Sequence, residues 1–337
     1  MRKTLLALAA TTLCTLGAHA QSTVQLSGLA DLYVGSMRMA GDASSRTTVG
    51  NSGMTTSWVG IKGSEDLGGG LKVNVAMTSF LRLTDGSQGR FPGDTFFSRD
   101  ANIGFSGNFG SVVLGRWLAP NFLPSVIGNP LGDSFTFAPL ILHMNVPLFN
   151  GSGWQATTPS DTGWNSQIAY TTPDIGGFKA TLQYQLGGDT GRHNIGANFL
   201  YFHGPLTVTG FYERDQLSNP GTSTWLGTTK TDWMLTAAYD FKVVKPYVGY
   251  GQAKADNAPG KAKTMHLGAS APLGGGSVLA SWARTNVTAL DTSRKTLTLG
   301  YDYFLSKRTD LYAMYMNDRI TAQPSGNSFA VGMRHRF

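Results

Sequence analysis

Apolar and polar residues alternate along most of this chain, in segments of about ten residues. Residues 178–186 show the pattern clearly. The residues of the apolar face are Phe178, Ala180, Leu182, Tyr184 and Leu186. The residues of the polar face are Lys179, Thr181, Gln183 and Gln185. Because successive side chains of a β-strand point to opposite faces, the pattern predicts strands with one apolar and one polar face.

The same alternation predicts sixteen strands over the chain. They are 24–34, 55–64, 70–83, 96–107, 110–117, 164–172, 177–187, 192–202, 205–214, 230–241, 243–254, 262–271, 276–285, 293–303, 309–318 and 327–337. An even number of antiparallel strands can close into a barrel with both termini at one rim.

The connectors between these segments are alternately short and long. The short ones are turn-forming: 64–69, 107–109, 173–176, 203–204 and 272–275. The longer ones include 35–54, 84–95, 215–229 and the very long 118–163. Alternation of this kind is expected of a barrel with two different rims, whereas a soluble β-sandwich has no reason to produce it.

The composition favours a barrel that crosses a membrane with strands. Only 14% of residues are charged, against about a quarter in an ordinary soluble domain, and the chain has 43 glycines and 11% aromatics. After Leu16 no apolar run approaches the length of about 18 residues that a membrane-spanning helix needs. The fold class is therefore predicted to be all-β.

The first twenty residues have the features of a secretory signal peptide. Arg2 and Lys3 precede an apolar stretch, and Ala18-His19-Ala20 gives the small-residue cleavage pattern before residue 21. We therefore predict a signal peptide at 1–20 and one barrel domain at 21–337. The single cysteine, Cys14, lies in the signal peptide, which excludes a disulfide framework and a thiol nucleophile in 21–337.

The positive charge is mild and dispersed. The formal net charge of +7 becomes +5 without Arg2 and Lys3, and no run of lysines and arginines follows. This pattern is not that of a nucleic-acid-binding surface. An anion preference is compatible with it.

Five stretches carry a resemblance to a known family, in order and from one end of 21–337 to the other. They are 24–34 (VQLSGLADLYV), 57–71 (SWVGIKGSEDLGGGL), 97–117 (FSRDANIGFSGNFGSVVLGRW), 298–312 (TLGYDYFLSKRTDLY) and 329–337 (FAVGMRHRF). Together they resemble the general porins of Gram-negative bacteria, of the type common in β-proteobacteria.

The resemblance implies a homotrimer of sixteen-stranded antiparallel transmembrane barrels in the outer membrane. It also implies a third external loop, here 118–163, that folds into each channel, and passive diffusion of small hydrophilic solutes and ions. The implied partners are outer-membrane lipid, lipopolysaccharide and the barrel-assembly machinery. No cofactor, metal or nucleic acid is expected. The last strand, which ends in Phe337, is expected to carry the assembly signal.

The resemblance also points to the constriction of the channel. Its predicted residues are Trp58, Arg82, Arg99, Arg116, Asp133 and Trp164. For two of them the alternation itself predicts an inward side chain, since Trp58 shares the face of Lys62 and Arg82 shares that of Lys72. Arg99 and Arg116 match basic positions of the family, whereas Trp58 and Trp164 stand where the family often has basic residues. Strict alternation groups Arg99 with the outward-facing Ala101, and only the resemblance places it inside.

The loop at 118–163 is rich in apolar side chains, and two interpretations follow. Residues such as Phe122, Phe135, Phe137 and Phe149 either line an eyelet that favours small aromatic or partly apolar carboxylates, or pack against the wall and hold the loop. Its carboxylates are Asp133 and Asp161. With few opposed charges, the transverse field is expected to be weak, which gives a modest anion preference.

Other classes of function are less well supported by the residues. The histidines of 21–337 are His143, His193, His203, His266 and His335, with no HExxH pattern or paired spacing typical of zinc. No serine, histidine and acidic grouping indicates a hydrolase. A solute-specific channel, a barrel enzyme and a structural barrel remain the alternatives to a general diffusion channel.

Overall fold

A computed structural model describes residues 22–145, 162–217, 229–256 and 260–337. The signal peptide predicted at 1–20 lies outside these ranges. The strands are β1 (Thr23–Met37), β2 (Arg46–Asn51), β3 (Trp58–Gly68), β4 (Leu71–Arg82), β5 (Ser87–Gln88), β6 (Asp100–Gly107), β7 (Gly110–Leu118), β8 (Gly163–Thr171), β9 (Phe178–Leu186), β10 (His193–His203), β11 (Leu206–Asp215), β12 (Lys230–Tyr239), β13 (Lys245–Ala255), β14 (Ala262–Leu273), β15 (Gly276–Val287), β16 (Thr292–Phe304), β17 (Thr309–Ile320) and β18 (Gly326–Arg336).

Sixteen of these strands form one closed antiparallel ring, as predicted. β1 pairs with β3 on one side and with β18 on the other, so the sheet has no free edge. At the junction, Gly28 and Phe337 exchange two backbone hydrogen bonds of 3.0 Å. A side chain at residue 28 would collide with the Phe337 ring, so glycine is required for this closure. Because the barrel is closed, the backbone N–H and C=O groups of each strand can pair with those of its neighbours, as a lipid environment requires.

Two short strands lie within connectors that were predicted to be loops. β2 pairs with the end of β1, and β5 pairs with the end of β4. The predictions of loops at 35–54 and 84–95 were therefore wrong in these parts, because both connectors fold back as hairpins that prolong the wall. β3 also continues to Gly68, into the predicted turn at 64–69. The chain reverses at Gly68, Gly69 and Gly70, whose φ angles of +85°, +60° and +81° favour glycine.

The alternation of the sequence separates two faces of the wall. In β16, Leu297 and Leu299 are 37% and 46% exposed, whereas Thr296 and Thr298 are at most 1% exposed. The apolar outer positions suit contact with lipid, and the polar inner positions face the interior. Within the described ranges, no helix has both the length and the apolar character needed to cross a membrane.

The long loop (residues 119–162) connects β7 to β8 and contains two short helices. They are α1 (Phe122–Ile127) and α2 (Pro139–Asn145). The apolar core of the molecule lies between this loop and the inner wall. Its loop members include Leu131, Phe137 and Ile141, which pack with wall residues such as Met314 and Met316.

Candidate pore constriction

Hydrogen bonds hold the described part of the long loop against the inner wall. Beside α1, Thr209 Oγ1 donates to the carbonyl of Pro124 (3.1 Å). In α2, the two ring nitrogens of His143 each lie 2.8 Å from a hydroxyl, one of Thr285 and one of Thr296. The loop therefore crosses the interior from β11 to β16 along the wall.

His143 is fully covered in this arrangement. Burial and then the positive charge of Arg294 bring the pKa of His143 well below its usual value. The ring is therefore neutral near pH 7, so it can donate to one hydroxyl and accept from the other.

Asp133 of the long loop is anchored through the segment that precedes β3. Asp31 accepts hydrogen bonds from the backbone amides of Gly53, Met54 and Thr55 at 2.8 to 2.9 Å. Thr55 Oγ1 in turn donates to Asp133 Oδ1 (2.9 Å). Asp133, one of the predicted constriction residues, is therefore fixed to the wall on the β1 side.

Ion pairs neutralise the charged residues of the inner wall next to the loop. Arg294 and Asp318 form a two-pronged pair at 2.9 and 3.0 Å, and both side chains are at most 3% exposed. Arg334 lies 2.9 Å from Asp310 and 3.2 Å from Asp302. These charges are shielded from the channel.

Arg99 and Trp58 lie on another part of the interior, formed by β3, β4, β6 and β7. The guanidinium carbon of Arg99 is 4.1 Å from the centroid of the Trp58 ring, and its Nη1 is 3.1 Å from Asp100 Oδ2. Arg99 immediately precedes the first residue of β6, and its amide donates to the Thr78 carbonyl (3.2 Å). Because it lies outside the regular strand, alternation does not dictate its direction. Its side chain is 25% exposed.

Arg82 lies at the end of β4 on the same wall, near the rim of the long connectors. Its side chain is 18% exposed and its Nε is 3.7 Å from Asp85. Towards the short-turn rim, Lys62 and Lys72 are exposed at inward positions of β3 and β4. These positions form a basic track along one side of the interior.

Arg116 and Trp164 are more deeply placed than the other predicted residues. Arg116 is 8% exposed and donates to the carbonyls of Ser98 and Gly163 and to Asn165 Oδ1, at 2.7 to 3.1 Å. Trp164 is 1% exposed. Both side chains are therefore packed where the long loop leaves β7 and joins β8, and they do not face the open channel.

Asp133 carries the carboxylate of the described loop. Burial raises the pKa of Asp133, although the hydrogen bond from Thr55 and the charges of Arg334 and Arg99 oppose the rise. The residue is half-buried, so its protonation can change the charge of the interior.

Three apolar residues of the described loop are fully packed and do not line open water, whereas Phe122 and Phe135 are half-buried. Phe137, Leu140 and Ile141 are at most 1% exposed, and the Phe137 ring meets Tyr33 edge-on at 5.8 Å. Of the two interpretations of this loop, the structure supports wall packing for these residues. Phe149 and Asp161 lie outside the described residues.

Several residues that organise the constriction were not predicted from the sequence. They include Asp31, His143, Arg334 and Tyr312, whose hydroxyl donates to Asp31 (2.6 Å). One signal was available, because the stretch Leu311–Met316 is apolar on both faces. A strand with two apolar faces is covered on both, which indicates that part of the chain lies inside the barrel there.

Phe337 lies on the outer face of the barrel. Phe329, Val331, Met333 and Phe337 are 49 to 54% exposed. These apolar side chains form one stripe along β18.

A closed antiparallel barrel with an apolar exterior, a polar interior and a loop packed inside defines a transmembrane β-barrel channel protein. The model of the Gram-negative porin family matches residues 4–323. The chain therefore belongs to the Gram-negative porin family, whose members reside in the outer membrane.

Relatives and solved structures agree with this assignment. The chain is 34% identical to outer membrane porin protein 32 of Delftia acidovorans, over 93% of this chain and 88% of that protein. It is 27% identical to an outer membrane porin of Bordetella pertussis, over the full length of both. The structure is similar to that of an anion-selective porin from Comamonas acidovorans, with a TM-score of 0.77 and 29% identity over 94% of this chain and all of that one.

Proposed function

We propose that this porin is a passive diffusion channel for small hydrophilic solutes and ions, with a weak preference for anions. The observation that carries the preference is the unequal exposure of the two partners of the Arg99–Asp100 pair at the constriction. The side chain of Asp100 is 9% exposed, whereas that of Arg99 is 25% exposed. The anion selectivity of the Comamonas porin supports the same sign.

The basic track gives a path for anions through the interior. Arg82 lies towards the long-connector rim, Arg99 at mid-height, and Lys62 and Lys72 towards the short turns. Cations that face a water-filled passage raise the local concentration of anions without binding them tightly. Passage then needs no energy source and no cofactor.

The test is single-channel conductance of the purified protein in a planar bilayer, with the reversal potential measured under a gradient of potassium chloride. We expect stable openings and a reversal potential whose sign shows that chloride is more permeant than potassium. A reversal potential of the opposite sign would contradict the anion preference but not the channel. Absence of openings from protein with normal unheated gel mobility would contradict the channel itself.

A second candidate is a channel that selects small aromatic carboxylates. The stacking of Arg99 on Trp58 favours it, because this pair presents a cation and a π-face at one place. Benzoate is then expected to reduce chloride conductance with saturation, whereas acetate is not. Trp58→Leu is expected to abolish the saturation and to leave the chloride conductance in place. Equal effects of benzoate and acetate would exclude this candidate.

The remaining features of the proposal rest on the family resemblance, except the signal peptide, which rests on the residues of 1–20 themselves. We propose a homotrimer, removal of residues 1–20 on export, and recognition of the strand ending in Phe337 by the barrel-assembly machinery. The constriction residues Trp58, Arg82, Arg99, Arg116, Asp133 and Trp164 are proposed to set its size and charge, the deeper ones by positioning the loop. We propose no catalytic activity.

A further inference from the structure

A depression in the inner wall lies between the constriction and the short-turn rim. Its central row crosses four neighbouring strands at one height. Gln25 of β1 is opposite Lys62 of β3. Ala76 of β4 is opposite Lys62 on one side and Asn102 of β6 on the other, so a small side chain stands among longer ones. We call the depression around these four residues the wall pocket, and its volume is about 260 Å³.

The four residues of this row point into the barrel. The adjacent residue of each strand is apolar and exposed on the outer face: Leu26, Ile61, Met77 and Ile103. Since successive side chains of a strand point to opposite faces, the wall pocket opens into the channel. A solute that crosses the barrel therefore passes it.

The wall pocket combines one accessible cation with uncharged hydrogen-bonding groups. Lys62 is exposed, and its Nζ forms neither an ion pair nor a hydrogen bond with any residue that the structure describes. The Asn102 side chain is oriented by its Nδ2, which donates to the carbonyl of Arg116 (2.8 Å). The Asn102 oxygen and the exposed amide of Gln25 remain available to a solute, and an amide both donates and accepts hydrogen bonds.

The carboxylate of the pocket lining, Asp100, is already paired. Its Oδ2 accepts a hydrogen bond from Thr78 Oγ1 (2.6 Å) and lies 3.1 Å from Arg99 Nη1. Because Arg99 neutralises this carboxylate, Asp100 does not offer a free charge to the ammonium group of a solute. The accessible charge of the pocket is that of Lys62, which favours a carboxylate over a zwitterion such as an amino acid.

Trp117 of β7 gives the lining an aromatic side. It is half-buried and pairs with Trp164 of β8 beyond a bulge in the register. The face of an indole ring carries negative potential, which suits the weakly positive C–H groups of a polyhydroxylated chain. The volume of the pocket lies just below the range of about 300 to 1,000 Å³ typical of sites for drug-sized ligands, so its occupant is a smaller solute.

We propose that the wall pocket is a subsite for small hydroxylated carboxylates, such as six-carbon sugar acids, on their passage through the channel. The carboxylate binds at Lys62 Nζ, and the hydroxyls bind the amides of Gln25 and Asn102. A lysine ammonium lacks the fixed fork of an arginine, so it holds the carboxylate loosely, and a site within a conducting channel must release its solute. This inference rests on the proposed function, because a solute in the medium reaches the pocket only through an open channel.

The test measures the affinity of the purified protein in detergent for gluconate, by titration with saturation-transfer difference NMR. Sorbitol has the six-carbon chain and the hydroxyls without the carboxylate, and hexanoate has the carboxylate without the hydroxyls. The variants are Lys62→Gln and Ala76→Leu. Their matched controls are Lys72→Gln, which removes an inward cation of β4, and Ala101→Leu, which adds the same bulk on the outer face of β6. Unheated gel mobility verifies that each variant has a closed barrel.

We expect gluconate to bind at least about fivefold more tightly than sorbitol or hexanoate, since each of these lacks one kind of contact. Lys62→Gln is expected to weaken gluconate binding at least about fivefold and to leave sorbitol binding unchanged. Ala76→Leu is expected to abolish saturable gluconate binding, because the new side chain occupies the floor of the pocket.

Both controls are expected to stay within about twofold of the wild type. Lys72 is four residues from Ala76 along β4, or about 13 Å, which exceeds the screening length of about 10 Å at 0.1 M salt. Ala101 shares the outer face of β6 with the exposed Ile103. Equal affinity for the three solutes, unchanged affinity in Ala76→Leu, or an equal loss in a matched control would overturn the proposal.

Chloride conductance in a planar bilayer separates failure of the wall pocket from failure of the channel. Protein that conducts chloride but binds gluconate no better than sorbitol would overturn the subsite and leave the diffusion channel in place. Protein that binds gluconate preferentially but gives no openings would support the subsite and contradict the channel.

Discussion

The charged side chains of two parts of the inner wall differ in their exposure. The covered wall, β10–β18, lies under the long loop, and its pair Arg294–Asp318 is at most 3% exposed. The open wall, formed by β3, β4, β6 and β7, leaves Arg99 25% exposed and Lys62 exposed. Both walls have polar inner faces in the sequence. The difference between them is the loop.

The charge that a solute meets in the channel therefore differs from the formal charge of the inner wall. A buried ion pair cancels its own field, whereas an exposed cation acts on passing ions. Since the loop covers the wall that is rich in carboxylates, the interior is left with an excess of accessible cations. In the proposed function, the position of the loop thus accounts for the preference for anions.

The largest effect is expected from breaking a buried pair of the covered wall. Asp318→Leu leaves Arg294 buried without its carboxylate, which costs about 4 kcal/mol. It also removes the acceptor of the Ala40 amide (3.1 Å), so the β1–β2 connector loosens. Thermal unfolding in detergent, followed by circular dichroism, is expected at a clearly lower temperature.

The double variant Arg294→Met, Asp318→Leu serves as the control for that change. It removes both charges at once and is expected to recover much of the lost stability. If the double variant were less stable than the single one, the account of an uncompensated charge would be wrong.

A somewhat smaller effect is expected from undocking the long loop. Phe137 is fully buried between the loop and the covered wall, and Phe137→Ala removes about 3 kcal/mol of packing free energy. We expect larger and noisier single-channel conductance with weaker ion selectivity. The half-buried Phe135→Ala in the same loop is expected to change both much less. Unchanged conductance in Phe137→Ala would mean that the loop does not narrow the channel.

The alternation of apolar and polar residues was enough to predict the barrel but not the path of the long loop. The segment predicted at 293–303 is β16, Thr292–Phe304, because lipid outside and polar groups inside impose a period of two on every strand. The inner partners of the loop are set by contacts between residues more than a hundred positions apart, such as His143 with Thr285. No local period encodes such contacts.

The predicted constriction residues also differ in how far local pattern determines their surroundings. Trp58 occupies the inward position that alternation gives it, in contact with Arg99. The burial of Trp164 could not be read from β8 alone, because it depends on how the long loop re-enters the wall. Sequence therefore predicts the direction of a strand residue better than its accessibility.

A modest effect is expected from removing a charge of the open wall. Arg99→Gln deletes a partly exposed cation of the open wall. The interaction of a unit charge with an ion about 4 Å away in water is about 1 kcal/mol, or at most about fivefold in the permeability ratio of chloride to potassium. The reversal potential under a salt gradient measures that ratio. Arg319 is exposed on the outer face of β17, since the preceding residue, Asp318, is buried on the inner face. Arg319→Gln therefore makes the same charge change on the outer surface and is expected to leave the ratio unaltered. An equal shift in both variants would show that total charge, not the open wall, sets the selectivity.

The smallest effect is expected from the pH dependence of Asp133, which lies between the two walls. Burial raises the pKa of Asp133, so its carboxylate takes up a proton at a higher pH than an exposed aspartate does. As the pH falls through that raised pKa, the interior loses a negative charge and the anion preference is expected to rise. Reversal potentials over a series of mildly acidic pH values measure this rise. Asp133→Asn, which is neutral throughout, is expected to show the higher preference already at pH 7 and to lack this part of the pH dependence. If the wild type and Asp133→Asn followed the same curve, the field would be set by the open wall alone, and the loop carboxylate would act only as the anchor that binds Thr55.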